Sequence, residues 1–488
     1  LEGKKDKIKY LIILIYLLGF IFFVFKMFFY AQYVARFPDE MQHISYIAYL
    51  EKEHTIIPNF EDMTTLKEIG SKATNSAANL NNKNTTTEYT FGNDFNYLGH
   101  PPLYYDIMRL SKAVQLKNNI ITVNIFKLRC FNIVLSAIAM LLILYIGYTR
   151  IGRNPILNLL YVTIVISVPM LAYGSAGINN DTLALIGLPV FILGLLRFSE
   201  QKRNFSTYFI ISFGVFIAFM AKLTAGAAVS ISLLLYLILI IIKEKNAWFL
   251  ISKKFIVTLP MYLITAAYYI VVYIQTGSIL PTYRRLDPKD FYQSFFYVQV
   301  SNRTHMSFIQ YAIYFAKNFL RTWTGIASNV SLLKTGSVFS LNNIAILILL
   351  FLPIILLFQT KKAKNNSSVL LVSISVYFGL AISAIIQWLR AYKEYVNISG
   401  YLGGYQSRYY LCGIAAIALA ITVVMKNFYE KLSVTSEDKK VQSAGQYYEA
   451  KYNINYRRLI LHFICLFFIC LLLYEDFIYF LIHFKDYL

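Results

Sequence analysis

Acidic residues, cysteines and prolines are scarce in this chain. Asp and Glu together number 25 against 46 Lys and Arg, charged residues of either sign make up 15% of the 488, and there are 4 Cys and 11 Pro. So small a charged fraction excludes a water-soluble protein of this size, whose composition would include about 25% charged residues. The cysteines, Cys130, Cys412, Cys465 and Cys470, all fall inside apolar blocks and show neither a zinc spacing nor a disulfide framework. They read as small core residues. No internal repeat of fixed period is visible, nor a pair of broken helices related by inversion, which weakens a transporter reading. Despite the net charge of +21, nucleic acid is not an expected partner, because the Lys and Arg lie in short tracts between apolar blocks and form no separate basic face.

What the chain has in abundance is apolar sequence, 57% hydrophobic with 17% aromatic. It comes in blocks of about twenty residues, the length that crosses a hydrocarbon core about 30 Å thick. Eleven candidate spans run over 8–30, 125–148, 155–173, 180–198, 206–221, 224–242, 254–274, 340–358, 367–388, 408–426 and 457–480. The first is too long for a signal peptide and lacks a small-residue cleavage site, so it reads as an anchor. Every second connection is basic: Lys4, Lys5 and Lys7; Arg150 and Arg153; Lys202 and Arg203; Lys243, Lys245, Lys253 and Lys254; Lys361, Lys362 and Lys364; and the 427–456 loop. The positive-inside rule makes that set cytoplasmic, with the N-terminus inside and the C-terminus outside. The expected fold class is an all-α polytopic membrane protein, a single bundle of about 11 transmembrane helices over 1–488.

Two of the outer connections are long, 31–124 and 276–341. Long loops either carry function or form structure of their own. The first contains an amphipathic stretch (Met41, Ile44, Ile47, Ala48 and Leu50) suited to an interfacial helix, and a polar Asn/Thr-rich run from Ala73 to Thr90 that reads as mobile. The second contains an apolar-periodic segment, Phe308 to Trp323, with Lys317 and Arg321 on its polar side.

The residues able to carry chemistry gather at the outer ends of the spans. Pro38-Asp39-Glu40 directly follows span one, with His43 one helical turn on. An adjacent carboxylate pair at a membrane surface suits a general base, one group acting while its neighbour orients it. The simpler role for Asp39 is to cap the helix that begins there. Gly99-His100-Pro101-Pro102-Leu103-Tyr104-Tyr105 follows in the same loop, where His100 could meet a phosphate or a sugar and a lone loop histidine is otherwise merely solvated. Asn179-Asn180-Asp181 precedes span four and reads first as an N-cap cluster. Lys222 sits in a very short outer turn, either snorkelling or serving as a phosphate counter-charge. Arg408, in Gln406-Ser407-Arg408-Tyr409-Tyr410, is suited to binding phosphate oxygens in pairs, and Arg284 and Arg285 are further cationic candidates in the second loop. Two adjacent carboxylates without a further Asp/His cluster do not make a metal site, so no metal and no other cofactor is expected.

The order of these motifs resembles the GT-C membrane glycosyltransferases, which include the protein O-mannosyltransferases and the aminoarabinose transferase of lipid A. The likeness rests on the acidic pair after span one, His100-Pro101-Pro102-Leu103-Tyr104-Tyr105 in the same loop, Asn179-Asn180-Asp181, Ala221-Lys222-Leu223-Thr224 and Gln406-Ser407-Arg408-Tyr409-Tyr410. It extends from about Tyr30 to Ala420, over short motifs. In size and in its Lys, Asn, Tyr and Phe richness the chain is also similar to phage-type serotype-converting O-antigen glucosyltransferases. The resemblance implies a GT-C-like bundle and a sugar donor carried on polyprenyl phosphate. It implies a glycan or lipid-linked glycan acceptor at the outer face of a bacterial inner membrane, with membrane lipid as the remaining partner. Asp39 or Glu40 would take the place of the catalytic carboxylate, with inversion at the sugar carbon. Lys222, Arg408 and His100 would meet the donor phosphate, and His43, Tyr104, Tyr105, Asn180, Asp181, Tyr409, Arg284 and Arg285 the substrates. Met41-Gln42-His43 departs from the family pattern, and a large C-terminal soluble domain of the oligosaccharyltransferase kind is not expected. The competing expectations are an O-antigen polymerase or ligase, which would depend on outer-loop arginines, and a non-enzymatic transporter or flippase, which would place ionisable groups at mid-membrane.

Overall fold

In hydrocarbon a chain must satisfy its own backbone polar groups, so the apolar blocks become helices. The computed structural model describes residues 2–34, 37–59, 62, 64–69, 86–94, 99–325, 341–355, 367–437 and 456–482. Its main helices, in chain order, are α1 (Glu2–Tyr33), α2 (Glu40–Glu53), α3 (Leu103–Arg109), α4 (Ile125–Arg150), α5 (Pro155–Ile166), α6 (Pro169–Ala176), α7 (Asp181–Ser199), α8 (Phe205–Ala221), α9 (Leu223–Glu244), α10 (Lys253–Thr276), α11 (Phe308–Thr324), α12 (Leu341–Phe351), α13 (Ser367–Glu394), α14 (Ile414–Glu437) and α15 (Tyr456–Leu473). Within the described residues, all eleven expected spans fall on helical segments. Among the described residues eight helices are long and apolar enough to cross a membrane; 205–221 and 343–355 are shorter apolar helices, and the 155–173 block is a bent pair. The chain is a multi-pass membrane protein.

Polar residues set the helix starts. Asn124 accepts from Lys127 N at 2.8 Å to open α4, and Asn154, followed by Pro155, accepts from Ile156 N and Leu157 N to open α5. Ser307 and Gln310 form a reciprocal capping box at the start of α11. α5 and α6 meet at 52°, where Pro169 has no amide proton to continue the helix. A break of this kind leaves the preceding carbonyls in need of donors. Lys26, fully buried on α1, fills one by donating to Ile166 O at 3.1 Å, and it forms an ion pair with buried Asp476 at the end of the last span. Ionisable residues were expected mainly at span ends; this pair lies within spans Asp6–Tyr33 and Arg458–Ile482 and faces the bundle interior.

The first long loop is more ordered in outline than its sequence suggests. α2 is buried along most of its length, from Glu40 through Leu50, so it is packed inside the loop domain and not laid half-exposed on an interface. It rests against α3 and an antiparallel four-stranded sheet of β1 (Thr64–Glu68), β2 (Thr87–Asn93), β3 (Val114–Lys117) and β4 (Ile120–Val123), in the order β1-β2-β4-β3. The all-helical expectation therefore holds for the spans, and the loop adds strands to it. β3 and β4 are joined by Asn118-Asn119, both with positive φ (50° and 62°), the backbone of a two-residue hairpin. Residues 70–85, most of the Asn/Thr-rich run, lie outside the described residues, as do 326–340, the 361–366 tract with its lysines, and 438–455 of the last basic loop.

The two ends of the bundle differ in charge chemistry. At one, Arg150 pairs with Glu200 at 2.7 Å, Arg203 pairs with Glu244, and Lys254 Nζ donates to Arg203 O at 2.7 Å. These belong to the basic connections. At the other end Asp39 touches Arg408, 369 residues away in sequence.

Breaking a buried ion pair leaves a charge uncompensated and costs about 3–5 kcal/mol. Lys26→Met is expected to lower stability by that amount in detergent unfolding, and Lys26→Met with Asp476→Leu to recover most of it. A single variant as stable as the parent would show that the pair does not hold the first and last spans together.

Candidate functional site

Asp39 begins α2 at φ 60° and ψ 12°, a left-handed backbone that Asp tolerates better than most residues. It occupies the cap position, yet its side chain makes no cap hydrogen bond. The carboxylate instead forms an ion pair with Arg408, both side chains being largely but not wholly covered, at 13% and 7% exposure. The capping role open to Asp39 from the sequence is therefore not the one it has.

Glu40, expected as the other half of a catalytic pair, is committed elsewhere. Its oxygens take Arg129 Nε at 2.9 Å and Nη2 at 2.6 Å, and accept from Ile178 N at 3.3 Å and Phe37 N at 3.4 Å. Arg129 is buried on α4 and also donates through Nη1 to Ala31 O and Val34 O, both at 2.9 Å, while its guanidinium lies over the Phe37 ring. One side chain thus satisfies the open carbonyls at the end of α1 and holds the start of α2. Both oxygens of Glu40 are thus occupied by donors of the protein itself. The sequence signal for Arg129 was a lone arginine near the start of an otherwise apolar span.

The second charged pair is Lys222 with Asp181, at 2.7 Å. Lys222 is a single extended residue (φ −165°, ψ 137°) separating α8 from α9, which presents its side chain at the bundle end. Its ammonium lies 4.1 Å from the Tyr409 ring centre, and Arg408 lies 5.5 Å from the same ring. Asp181, Lys222, Tyr409, Arg408 and Asp39 therefore form one continuous cluster of two anions and two cations around an aromatic face.

The histidines complete it as neutral groups. His43 is buried, its Nδ1 is 2.9 Å from Tyr105 Oη, and burial holds its pKa well below the usual imidazole value. Burial, aided by the charge of Lys222, lowers His100 to about 4. At neutral pH neither adds a cation, so His100 is available only as a neutral hydrogen-bonding group. Its Nδ1 lies 3.4 Å from Asn180 Nδ2.

Several expected substrate contacts lie beneath the site instead of in it. Tyr104 is fully buried, donating to Asn132 Oδ1 and accepting from Asn179 N, both at 2.9 Å. Asn132 in turn donates to Ser175 O and Gly177 O. Gly177 is required there, because a Cβ would stand 2.3 Å from the Phe37 ring. Tyr105, also fully buried, stacks on Tyr46 with ring centres 3.8 Å apart, and Asn180 donates to Ala221 O at 2.9 Å at the end of α8. In this structure all three side chains hold neighbouring segments together. Arg285 closes the turn after α10 by donating to Thr276 O at 2.6 Å, while Arg284 lines a chamber beside His100. Among the described residues no three His, Cys, Asp or Glu side chains converge as metal ligands.

The arrangement can take a proton at Asp39 and hold an anion at Lys222 and Arg408 within the same cluster. No sequence family and no curated protein matches the chain. Two crystal structures of ArnT from Cupriavidus metallidurans, one bound to undecaprenyl phosphate and one in the apo state, are similar at 13% identity and a TM-score of 0.42. The match covers 94% of this chain and 71% and 70% of those chains. A likeness at that level assigns neither family nor activity.

Two outcomes follow from this geometry. Arg129→Met should lower unfolding stability by about 3–5 kcal/mol, more than Arg408→Met at the partly solvated rim; equal effects would deny Arg129 its central place. His100 is held below its unfolded value of about 6.5, so the neutral form stabilises the fold. That contribution, at most about 3 kcal/mol, is present above pH 6.5 and is lost as pH falls toward 4. The melting temperature should fall less between pH 7 and pH 5 in His100→Gln than in the parent; identical slopes would contradict the assignment.

Proposed function

We propose that the protein is a membrane glycosyltransferase, moving a sugar from a polyprenyl-phosphate donor to a hydroxyl of a glycan acceptor. The observation that carries this reading is the contact of Asp39 with Arg408 in a cluster that also contains Lys222, at one end of a membrane bundle. A general base and a counter-charge for a phosphate are the two groups such a transfer needs, and a lipid-borne donor explains why they stand at the end of apolar helices.

In the proposed reaction the acceptor hydroxyl passes its proton to a carboxylate oxygen of Asp39. Its oxygen forms a bond to the anomeric carbon from the face opposite the phosphate, the bond from that carbon to the phosphate oxygen breaks, and polyprenyl phosphate leaves with the electron pair. The sugar carbon is inverted. Lys222 and Arg408 stabilise the charge that develops on the leaving phosphate without transferring a proton. Tyr409, held between them, offers a ring face to the sugar. Glu40 and Arg129 keep Asp39 in place, and the reaction needs no metal.

The motif order supports the same reading, as it resembles the GT-C glycosyltransferases. On that resemblance we take the donor sugar to be a hexose such as glucose and the acceptor a cell-surface polysaccharide such as O-antigen. The reaction then occurs at the outer face of a bacterial inner membrane, with the basic connections in the cytoplasm.

The test is transfer of a radiolabelled hexose from its polyprenyl phosphate by the purified full chain. Asp39→Asn should lower kcat by roughly 10²-fold to 10⁴-fold, the usual contribution of a general base, with donor affinity and melting temperature little changed. EDTA should leave the parent rate unaltered. Full activity in Asp39→Asn would sink the mechanism.

A further inference from the structure

Beside the charged cluster the second long loop closes over a chamber of about 300 Å³. It is lined by residues of the 280–296 segment, by the end of α13 with the turn that follows, and by Gly99 and His100. The two loops meet closely: a Cβ at Gly99 would lie 2.9 Å from Pro281 Cγ. The volume is at the lower end of small-molecule sites, roughly 300–1,000 Å³, and suits a single sugar ring in preference to a lipid chain.

The lining is aromatic and positively charged. Tyr283, Phe291, Phe296 and Tyr401 supply ring faces, and Arg284, Arg390 and Glu394 supply the charges. Arg129 and Arg408 are both bound to carboxylates, whereas neither Arg284 nor Arg390 forms an ion pair among the described residues. Two arginines and one glutamate give the lining a net positive charge, with Asp287 and Asp290 close to Tyr283 on the same loop. The chamber also adjoins the reacting end, since His100 lines it and contacts Asn180, which is bonded to the residue before Lys222.

We propose that this chamber binds the acceptor, and that it selects a glycan whose terminal sugar carries an anionic substituent, a carboxylate or a phosphate. The ring stacks on the aromatic walls, the acidic group meets Arg284 and Arg390, and Glu394 accepts from a hydroxyl. The bound sugar then offers a further hydroxyl past His100 toward Asp39. This assignment rests on the transfer reaction for its meaning, but the chamber's preference for anions is measurable without turnover.

The experiment is a saturation-transfer NMR titration of the full chain in nanodiscs with three probes: methyl glucoside, methyl glucuronide and methyl glucoside 6-phosphate. The expected result is at least tenfold tighter binding of one or both anionic probes than of the neutral one, the pair showing which acid is preferred. The double variant Arg284→Gln with Arg390→Gln should abolish that preference while keeping its melting temperature and its binding of methyl glucoside. Equal binding of all three probes, binding of none, or an unchanged preference in the double variant would overturn the proposal. Displacement of the anionic probes by polyprenyl phosphate would do so as well, by assigning them to the donor cations. An anion preference that persists where Asp39→Asn is fully active would refute the transfer mechanism and leave the chamber standing.

Discussion

The guanidinium of Arg129 is the constraint on which the loop-bearing end of this protein depends. It sits in a nearly solvent-free position, takes two carbonyls from the end of the first span, and grips Glu40 with two nitrogens. A buried cation needs such partners, and a buried carboxylate needs them equally. Each therefore fixes the other, and the turn between the first span and α2 is tied at both ends. Asp39 lies within that turn in a left-handed conformation, a backbone state of higher energy that persists because its surroundings impose it. The consequence is functional: the adjacent carboxylates separate into one that is enclosed and one that reaches the edge of the site.

Around that edge the charges balance. Asp39 and Asp181 offset Arg408 and Lys222, and the two histidines nearby are neutral because burial disfavours their charged forms. A cluster of this kind can accept a phosphate by exchanging one anionic partner for another, and it can accept a proton at Asp39 without a distant charge moving. Beneath it, Tyr104, Asn132, Asn179 and Asn180 form a hydrogen-bonded floor that joins α3, α4, α6 and α8. These residues fix the distances between the elements they join.

Much of the membrane architecture could be read from the chain, because apolar length and the placement of Lys and Arg are local properties. The residues that meet at the site could also be picked out singly, since charges at helix ends are conspicuous against apolar spans. What could not be read was their pairing. Glu40 and Asp39 are neighbours in sequence and look equivalent; only Arg129, 89 residues away, distinguishes them. Lys26 and Asp476, 450 residues apart, show the same limit within the membrane. The strands were missed for another reason. β3 and β4 have four residues each, too short for a convincing period, although Asn118-Asn119 between them carried a hairpin signal. Tyr104 and Tyr105 read from the sequence as interface tyrosines, and their full burial could not be seen there because it depends on Tyr46, Asn132 and Asn179, which are distant in the chain or on other elements.

The central claim is that Asp39, Lys222 and Arg408 together form the place where a lipid-linked phosphate is handled. A cryo-EM structure of the full chain in nanodiscs with a polyprenyl-phosphate hexose measures this most directly. Phosphate oxygens are expected within about 3 Å of Lys222 Nζ or an Arg408 guanidinium nitrogen, with the sugar turned toward the Asp39 carboxylate. Phosphate bound at the opposite end, near Arg150 and Arg203, would contradict it.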